Sequence, residues 1–417
     1  MSFDINYIKE KWRHAGFQKY LRNTGWMFFG RMFSLAVSFF VGAYIARYLG
    51  PANYGLMNYA ISFVGLFGFL ASFGIDGIVN REIVKDHNKK DDLIGTGFFI
   101  KLFGAFLTIL LIAIVSFLTI SDNFTLILIL LFSLTFIPQA FNVIEIYFQS
   151  QVLAKNIVRS QIIATIVAVC LKILVIILNK GIFWLIFIFF VEACVLATLF
   201  ILAFLKNGHH FKNWKFKKEI AISILKDSWP LMFSAMAIGI YMKIDQVMIK
   251  HMLGDEQVGL YAVAVKLTEV WYFVPGIICA SLFPAIVNSK KISNEFFEAR
   301  MKKLYRLMFG IAISIAIPMT IFAEQIISVL FGESYGGAVP VLRIYVWVLI
   351  LLFYIHTNIY YLISINKGSI LIRTTFIGGI SNVIFNTIFI PKIWLSGAAV
   401  SIILSLIIMS LFIKNHK

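Results

Sequence analysis

Lys243, Asp245, Lys266 and Glu269 stand inside apolar runs, where an isolated charge is costly to bury. Such groups face a hydrated cavity or one another, because hydrocarbon supplies neither water nor counter-charge. Lys266 and Glu269 are three apart and share a helical face, so they can touch. Lys243 and Asp245 are two apart and point different ways, so each needs a partner elsewhere. Two chemistries fit these four residues. One is an ion-pair network that locks a helix bundle. The other is a hydrated cavity in which ammonium groups hold an anion while carboxylates exchange protons. A lysine in such a cavity acts as a point charge toward phosphate.

Other ionisable residues also lie within apolar runs. Lys101, Glu145 and Arg343 sit near run ends and can snorkel to an interface. Arg31 is two turns in. Lys172 and Glu192 are deeper, on adjacent runs, and can pair with each other. Arg31, Lys243, Lys266, Lys172 and Arg343 are therefore the candidates for holding an anionic substrate. Asp245, Glu269 and Glu192 are the candidates for coupling to H⁺ or Na⁺. Asn382 and Asn386, four apart after Gly378-Gly379, form a polar stripe suited to hydrogen bonding at a close helix crossing.

Membrane-spanning helices must position these side chains. The 417 residues are 60% hydrophobic and only 14% charged, with a mean hydropathy of +0.89. That is too little polar material to coat a water-soluble particle. A span needs about 20 apolar residues. Twelve such runs are expected, at 25–46, 55–75, 97–119, 124–147, 161–178, 182–204, 229–249, 258–287, 305–323, 338–363, 370–390 and 394–413. The eighth is long and holds Pro275 and Pro284, which predicts a kink. Of the 37 Lys and Arg, 25 fall on the side of the termini and 4 on the opposite side. That bias places both termini in the cytoplasm and accounts for the net charge of +17 without nucleic acid. Residues 1–24, basic with interleaved aromatics, read as an interfacial segment, and no cleaved signal peptide is expected.

Leu49-Gly50-x-x-x-x-Gly55-Leu56 recurs as Leu253-Gly254-x-x-x-x-Gly259-Leu260. Both copies join the first and second spans of a six-span half. The expected architecture is an all-α membrane protein of about twelve helices in two six-helix lobes. The repeat is parallel, with a pseudo-two-fold axis along the membrane normal. The lobes are 1–204 and 229–417, with a cytoplasmic linker at 205–228. No metal-binding His pair and no phosphate-binding Gly-rich loop with Lys-Ser/Thr is present. His209-His210 reads as solvated linker, and Cys170, Cys194 and Cys279 as small core residues. The longest loop, about 24 residues, is too short for a soluble catalytic domain. A transporter is expected, not an enzyme.

Three blocks carry a resemblance to a known family. The first is Ala46-Arg47-Tyr48-Leu49-Gly50-Pro51-Ala52-Asn53-Tyr54-Gly55, followed by Phe73-Gly74 and Arg81-Glu82. The second runs from Lys243-Ile244-Asp245-Gln246 through Leu253-Gly254 and Val258-Gly259-Leu260-Tyr261 to Lys266-Leu267 and Phe283-Pro284. The third is Ser381-Asn382-Val383-Ile384-Phe385-Asn386 with Ile390-Pro391 and Gly397-Ala398-Ala399. The chain resembles the polysaccharide-biosynthesis flippases, the O-antigen repeat-unit translocases of the MOP transporter superfamily. The resemblance implies translocation of undecaprenyl-diphosphate-linked oligosaccharide across the bacterial inner membrane, with no cofactor. It implies cationic cavity residues for the diphosphate, for which Arg31, Lys243 and Lys266 qualify. A lipopolysaccharide-type pathway would add a polymerase and chain-length proteins as partners. Ion-coupled drug or cation antiporters of the same superfamily are the alternative, and they would use Asp245, Glu269 or Glu192. One departure is Lys392-Ile393-Trp394-Leu395-Ser396, where family members often carry a Gly-containing turn.

Overall fold

The computed structural model describes residues 15–290, 292–365, 367 and 369–416. The interfacial segment expected from residue 1 falls, as far as His14, outside the described residues. Among the described residues there are helices and no strands. In chain order they are α1 (Ala15–Gly65), α2 (Gly68–Ser72), α3 (Asp76–Lys85), α4 (Lys90–Thr119), α5 (Asn123–Ser133), α6 (Phe136–Gln139), α7 (Val143–Ser150), α8 (Ala154–Ile177) and α9 (Ile182–Lys206). They continue with α10 (Lys218–Leu253), α11 (Asp255–Glu269), α12 (Phe273–Lys290), α13 (Asn294–Ile321), α14 (Ala323–Phe331), α15 (Val339–Tyr345), α16 (Val348–Ser364), α17 (Ser369–Ile393) and α18 (Leu395–Asn415).

Among the described residues, ten helical segments are long and apolar enough to cross a membrane, and the bent pair Glu333–Tyr345 and Val348–Ser364 makes an eleventh. The expected spans 25–46 and 55–75 share one of these segments. They merge in α1, which is broken at Gly50 (φ 69°, ψ 170°). Gly254 in the second copy of the repeat adopts the same conformation (φ 94°, ψ 177°). A Cβ is disfavoured in this region, so both copies need glycine. The expected kink in the eighth span appears as the break between α11 and α12, over 270–272. It falls where the ring of Pro275 excludes the carbonyl four residues earlier. The last connection, at the segment 392–396, is a tight turn with Trp394 at φ 59°.

The chain divides into two compact units. One comprises the chain through Val41 with Phe67–Phe233, and the other Gly42–Leu66 with Ser234–Lys417. The division differs from a cut at 205–228 because Gly42–Leu66 packs with the later helices. The expected linker is also partly helical, since α10 begins at Lys218.

Helix α4 of the first unit shows why lipid is the solvent. Its buried face holds Lys101, Gly104, Ala105, Thr108 and Ser116. Its exposed face holds Phe103, Phe106, Leu110, Ile114 and Phe117. In water this helix would be inside out. In a bilayer, large apolar side chains face lipid and small residues mediate close packing. A Cβ on Gly104 would lie 2.6 Å from the Leu70 carbonyl oxygen, so α2 and α4 pack through backbone contact.

Outside the spans, Arg81 on α3 bridges to Asp227 at 2.5 Å and to Glu82 at 2.8 Å. Hydrogen bonds from Lys85 and Arg81 hold the Glu82 carboxyl below its usual range. His209 is packed, not solvated as the sequence suggested. Its ring lies 4.8 Å from Phe204, and Tyr147 Oη is 2.8 Å from its Nε2. Burial, with Lys90 nearby, pushes its pKa down. Cys279 is buried, Cys194 is half-buried and Cys170 is exposed, so Cys170 is not a core residue.

Candidate functional site

The second unit encloses a cavity of about 320 Å³ lined by Tyr241, Asp245, Glu269, Tyr272, Tyr345 and His356 with aliphatic neighbours. Asp245 comes from α10, Glu269 from the end of α11, Tyr345 from the end of α15 and His356 from α16. Asp245 is 4% exposed. Tyr261 Oη donates to its Oδ2 at 2.6 Å, and Asn386 Nδ2 donates to its Oδ1 at 2.6 Å. Asn386 Nδ2 also reaches Asn382 Oδ1 at 3.1 Å. The polar stripe of α17 and the carboxylate of α10 thus form one node. Asn386 Oδ1 and Asn382 Nδ2 are buried without a hydrogen-bond partner.

Among the described residues no Lys, Arg or His forms an ion pair with Asp245. A carboxyl group in such a place is stable when it holds a proton or a cation. Two buried amides within reach can turn an oxygen toward a cation or an N–H toward a carboxylate. The node can therefore exchange one positive charge with little rearrangement. Tyrosines surround it, with the Tyr272 and Tyr345 hydroxyls 3.4 Å apart and the Tyr261 ring edge-on to Tyr345 at 5.7 Å.

The ion-pair network that the sequence allowed among Lys243, Asp245, Lys266 and Glu269 does not form, and Lys266 makes no ion pair with Glu269. Lys266 is half-buried, and its Nζ lies against Gly42, where a Cβ would overlap it. Lys243 is half-buried with its stem beside Gly65.

The repeat copies meet in this unit. A Cβ on Gly55 would overlap the Asp255 carbonyl oxygen, and one on Gly259 would overlap that of Pro51. Positions 51 and 255 are equivalent in the repeat, as are 55 and 259. The same offset relates the Ser62–Gln246 hydrogen bond, 2.8 Å long, to the Lys266–Gly42 contact. The seam is thus two-fold in its backbone and unlike in its side chains. A neutral hydrogen bond stands on one side and an ammonium over glycine on the other.

The remaining candidates lie elsewhere. Lys172 pairs with Glu192 at 3.1 Å, as the sequence allowed, and covers the Phe189 ring at 4.3 Å. Arg31 and Arg343 are exposed. Lys101 does not snorkel. Its side chain is 7% exposed and bridges to Asp76 at 2.7 Å. Tyr241, Tyr261, Tyr272 and Tyr345 join the charged candidates here. Their signal in the sequence is a hydroxyl within an apolar run, which requires a partner.

Comparison with known proteins places this geometry in context. A family model described as "Polysaccharide biosynthesis protein" matches residues 20–290. An uncharacterized membrane protein of Methanocaldococcus jannaschii is 28% identical over 180 residues, covering 40% of this chain and 34% of that protein. The matched stretch thus spans about a third of the relative's length. Three solved structures share the fold. An inward-facing multidrug resistance MATE family transporter of the MOP superfamily aligns with a TM-score of 0.76 and 16% identity, covering 93% of this chain and 94% of that one. The lipid II flippase MurJ, in an inward closed conformation, aligns with a TM-score of 0.71 and 18% identity over 93% and 86%. A MOP superfamily transporter from Pyrococcus furiosus aligns with a TM-score of 0.63 and 15% identity over 95% of each. At these identities the likeness establishes the fold.

Proposed function

The chain belongs to the polysaccharide biosynthesis protein family, and we propose that it translocates undecaprenyl-diphosphate-linked oligosaccharide repeat units across the bacterial inner membrane by alternating access. The observation that carries this reading is the family match over 20–290, joined to a multi-pass fold shared with MATE transporters and a lipid II flippase. The chemistry agrees with it. Lys243 and Lys266 are intramembrane ammonium groups that form no ion pair among the described residues, as binding a diphosphate requires. The sugar head cannot cross hydrocarbon unaided. Both termini face the cytoplasm in this reading, and a polymerase and chain-length proteins act next on the product.

Transport is coupled to a cation, H⁺ or Na⁺, at the Asp245 node. That node also favours a second reading, an ion-coupled drug or cation antiporter, because Asp245 and Glu269 line one aromatic cavity. Deleting the gene and analysing lipid-linked sugars by mass spectrometry separates the two. Complete oligosaccharide on undecaprenyl diphosphate accumulates in the cytoplasmic leaflet if the chain is the flippase. Unchanged lipids with new sensitivity to cationic drugs select the antiporter.

Within the flippase reading, Lys243→Ala and Lys266→Ala each lower surface polysaccharide about tenfold at unchanged protein level, as expected for losing one charge-assisted contact to phosphate. Normal polysaccharide in both variants removes these lysines from the site.

A further inference from the structure

The first unit holds a smaller and more polar pocket, about 110 Å³, lined by Ser72, Asp76, Lys101, Phe136, Gln139 and Asn142. We propose that it is a subsite for one uncharged sugar ring of the transported head group, an assignment that rests on the flippase reading above.

The lining determines the class of ligand. Lys101 Nζ offers three N–H donors, of which Asp76 takes one. Asp76 is bonded on Oδ1 and more than half exposed, so its carboxylate keeps acceptor capacity. Gln139 and Asn142 each add an amide that donates and accepts. The ion pair makes the lining neutral overall. An anion would meet Asp76, a cation would meet Lys101, and an apolar molecule would strand every one of these groups. A neutral polyol satisfies them, because each hydroxyl both donates and accepts. Phe136, 9% exposed, supplies an apolar wall for a ring's C–H face.

Size and depth agree. The volume holds about three to four waters, room for one edge of a sugar ring and not for an oligosaccharide. Lys101 stands eleven residues into α4 from Lys90 and four residues into the apolar run 97–119, about 6 Å along the axis. The pocket is thus near one end of the span, where an entering head group first leaves water. From Asn142 the polar face of the chain continues to Glu145, which accepts from Gln149 Nε2 at 3.2 Å and Gln161 Nε2 at 3.4 Å.

The test measures binding of two probes to the purified full-length protein in nanodiscs: undecaprenyl diphosphate, and the same lipid carrying one N-acetylglucosamine. Wild type is expected to bind the glycosylated lipid about tenfold more tightly, the gain from one or two new hydrogen bonds. Gln139→Ala and Asn142→Ala should lose that gain while binding undecaprenyl diphosphate as before, which also reports that they are folded. A gain that survives in both variants, or no gain in wild type, overturns the subsite and leaves the flippase reading intact. Failure of wild type to bind either lipid overturns the flippase reading and the subsite together.

Discussion

Replacing Asp245 with asparagine lowers translocation about 10- to 100-fold while the protein stays folded. The substitution keeps shape and volume and removes the one charge at the centre of the node. Tyr261 Oη and Asn386 Nδ2 both donate to Asp245, and hydrogen bonds to a charged group are worth about 1.5–3 kcal/mol each. The fold survives because Asn386 can turn its unpartnered Oδ1 toward the new amide. Transport does not survive, because a permanently neutral side chain cannot take up and release a cation as the cycle requires. The measurement compares surface polysaccharide in cells with lipid-linked substrate movement in vesicles under an imposed Na⁺ or pH gradient. Wild type responds to one of these gradients and Asp245→Asn to neither. Tyr261→Phe, which removes one donor and keeps the charge, retains the gradient response at a reduced rate. Full transport with an unchanged gradient response in Asp245→Asn would exclude the node from coupling.

This node also marks the limit of what one sequence discloses. Hydrophobic length is a local signal, so the expected spans 182–204 and 394–413 lie within residues of the helices Ile182–Lys206 and Leu395–Asn415. Helix continuation into water carries no such signal. The start of α10 at Lys218 and the merging of two spans in α1 were therefore hidden. The same holds for Lys101. Near the end of an apolar run it reads as a snorkelling residue, but α4 begins at Lys90 and carries it into the packed interior. The spacing of Asn382 and Asn386 was legible as a stripe on one helix face. Their partner, 141 residues from Asn386 in sequence, was not, because three-dimensional proximity across helices leaves no trace in local periodicity. Arg31 and Arg343 have exposed side chains and lie outside the aromatic cavity. Residue type limits the chemistry, and packing decides which groups share a cavity.

Gly259→Val forces apart the seam in which the two repeat copies meet. The added Cβ would occupy the space of the Pro51 carbonyl oxygen, and a backbone atom cannot swing aside as a flexible side chain would. Overpacking of this kind costs about 1–3 kcal/mol, enough to shift a two-state equilibrium about 5- to 150-fold. Gly55→Val acts in the same way through the Asp255 carbonyl, so the two variants should behave alike, as the repeat requires. The readout is labelling of Ser62→Cys by a membrane-impermeant thiol reagent, with Cys170, Cys194 and Cys279 replaced by serine. Ser62 is 1% exposed and hydrogen-bonded to Gln246 within the seam, so the closed state labels slowly. Gly259→Val raises the labelling rate at least about tenfold and abolishes translocation, because alternating access needs the closed state as much as the open one. Gly259→Ala, with a smaller intrusion, falls between wild type and Gly259→Val in both measurements. Labelling and transport at wild-type rates in Gly55→Val and Gly259→Val would show that the seam is a fixed helix contact, and the repeat would then serve folding alone. If the seam opens, its dissimilar side chains make the opening easy. A single neutral hydrogen bond and an ammonium resting on glycine hold less firmly than two ion pairs would. On the flippase reading, Lys266 would leave Gly42 without losing a carboxylate and would then be free to meet a diphosphate.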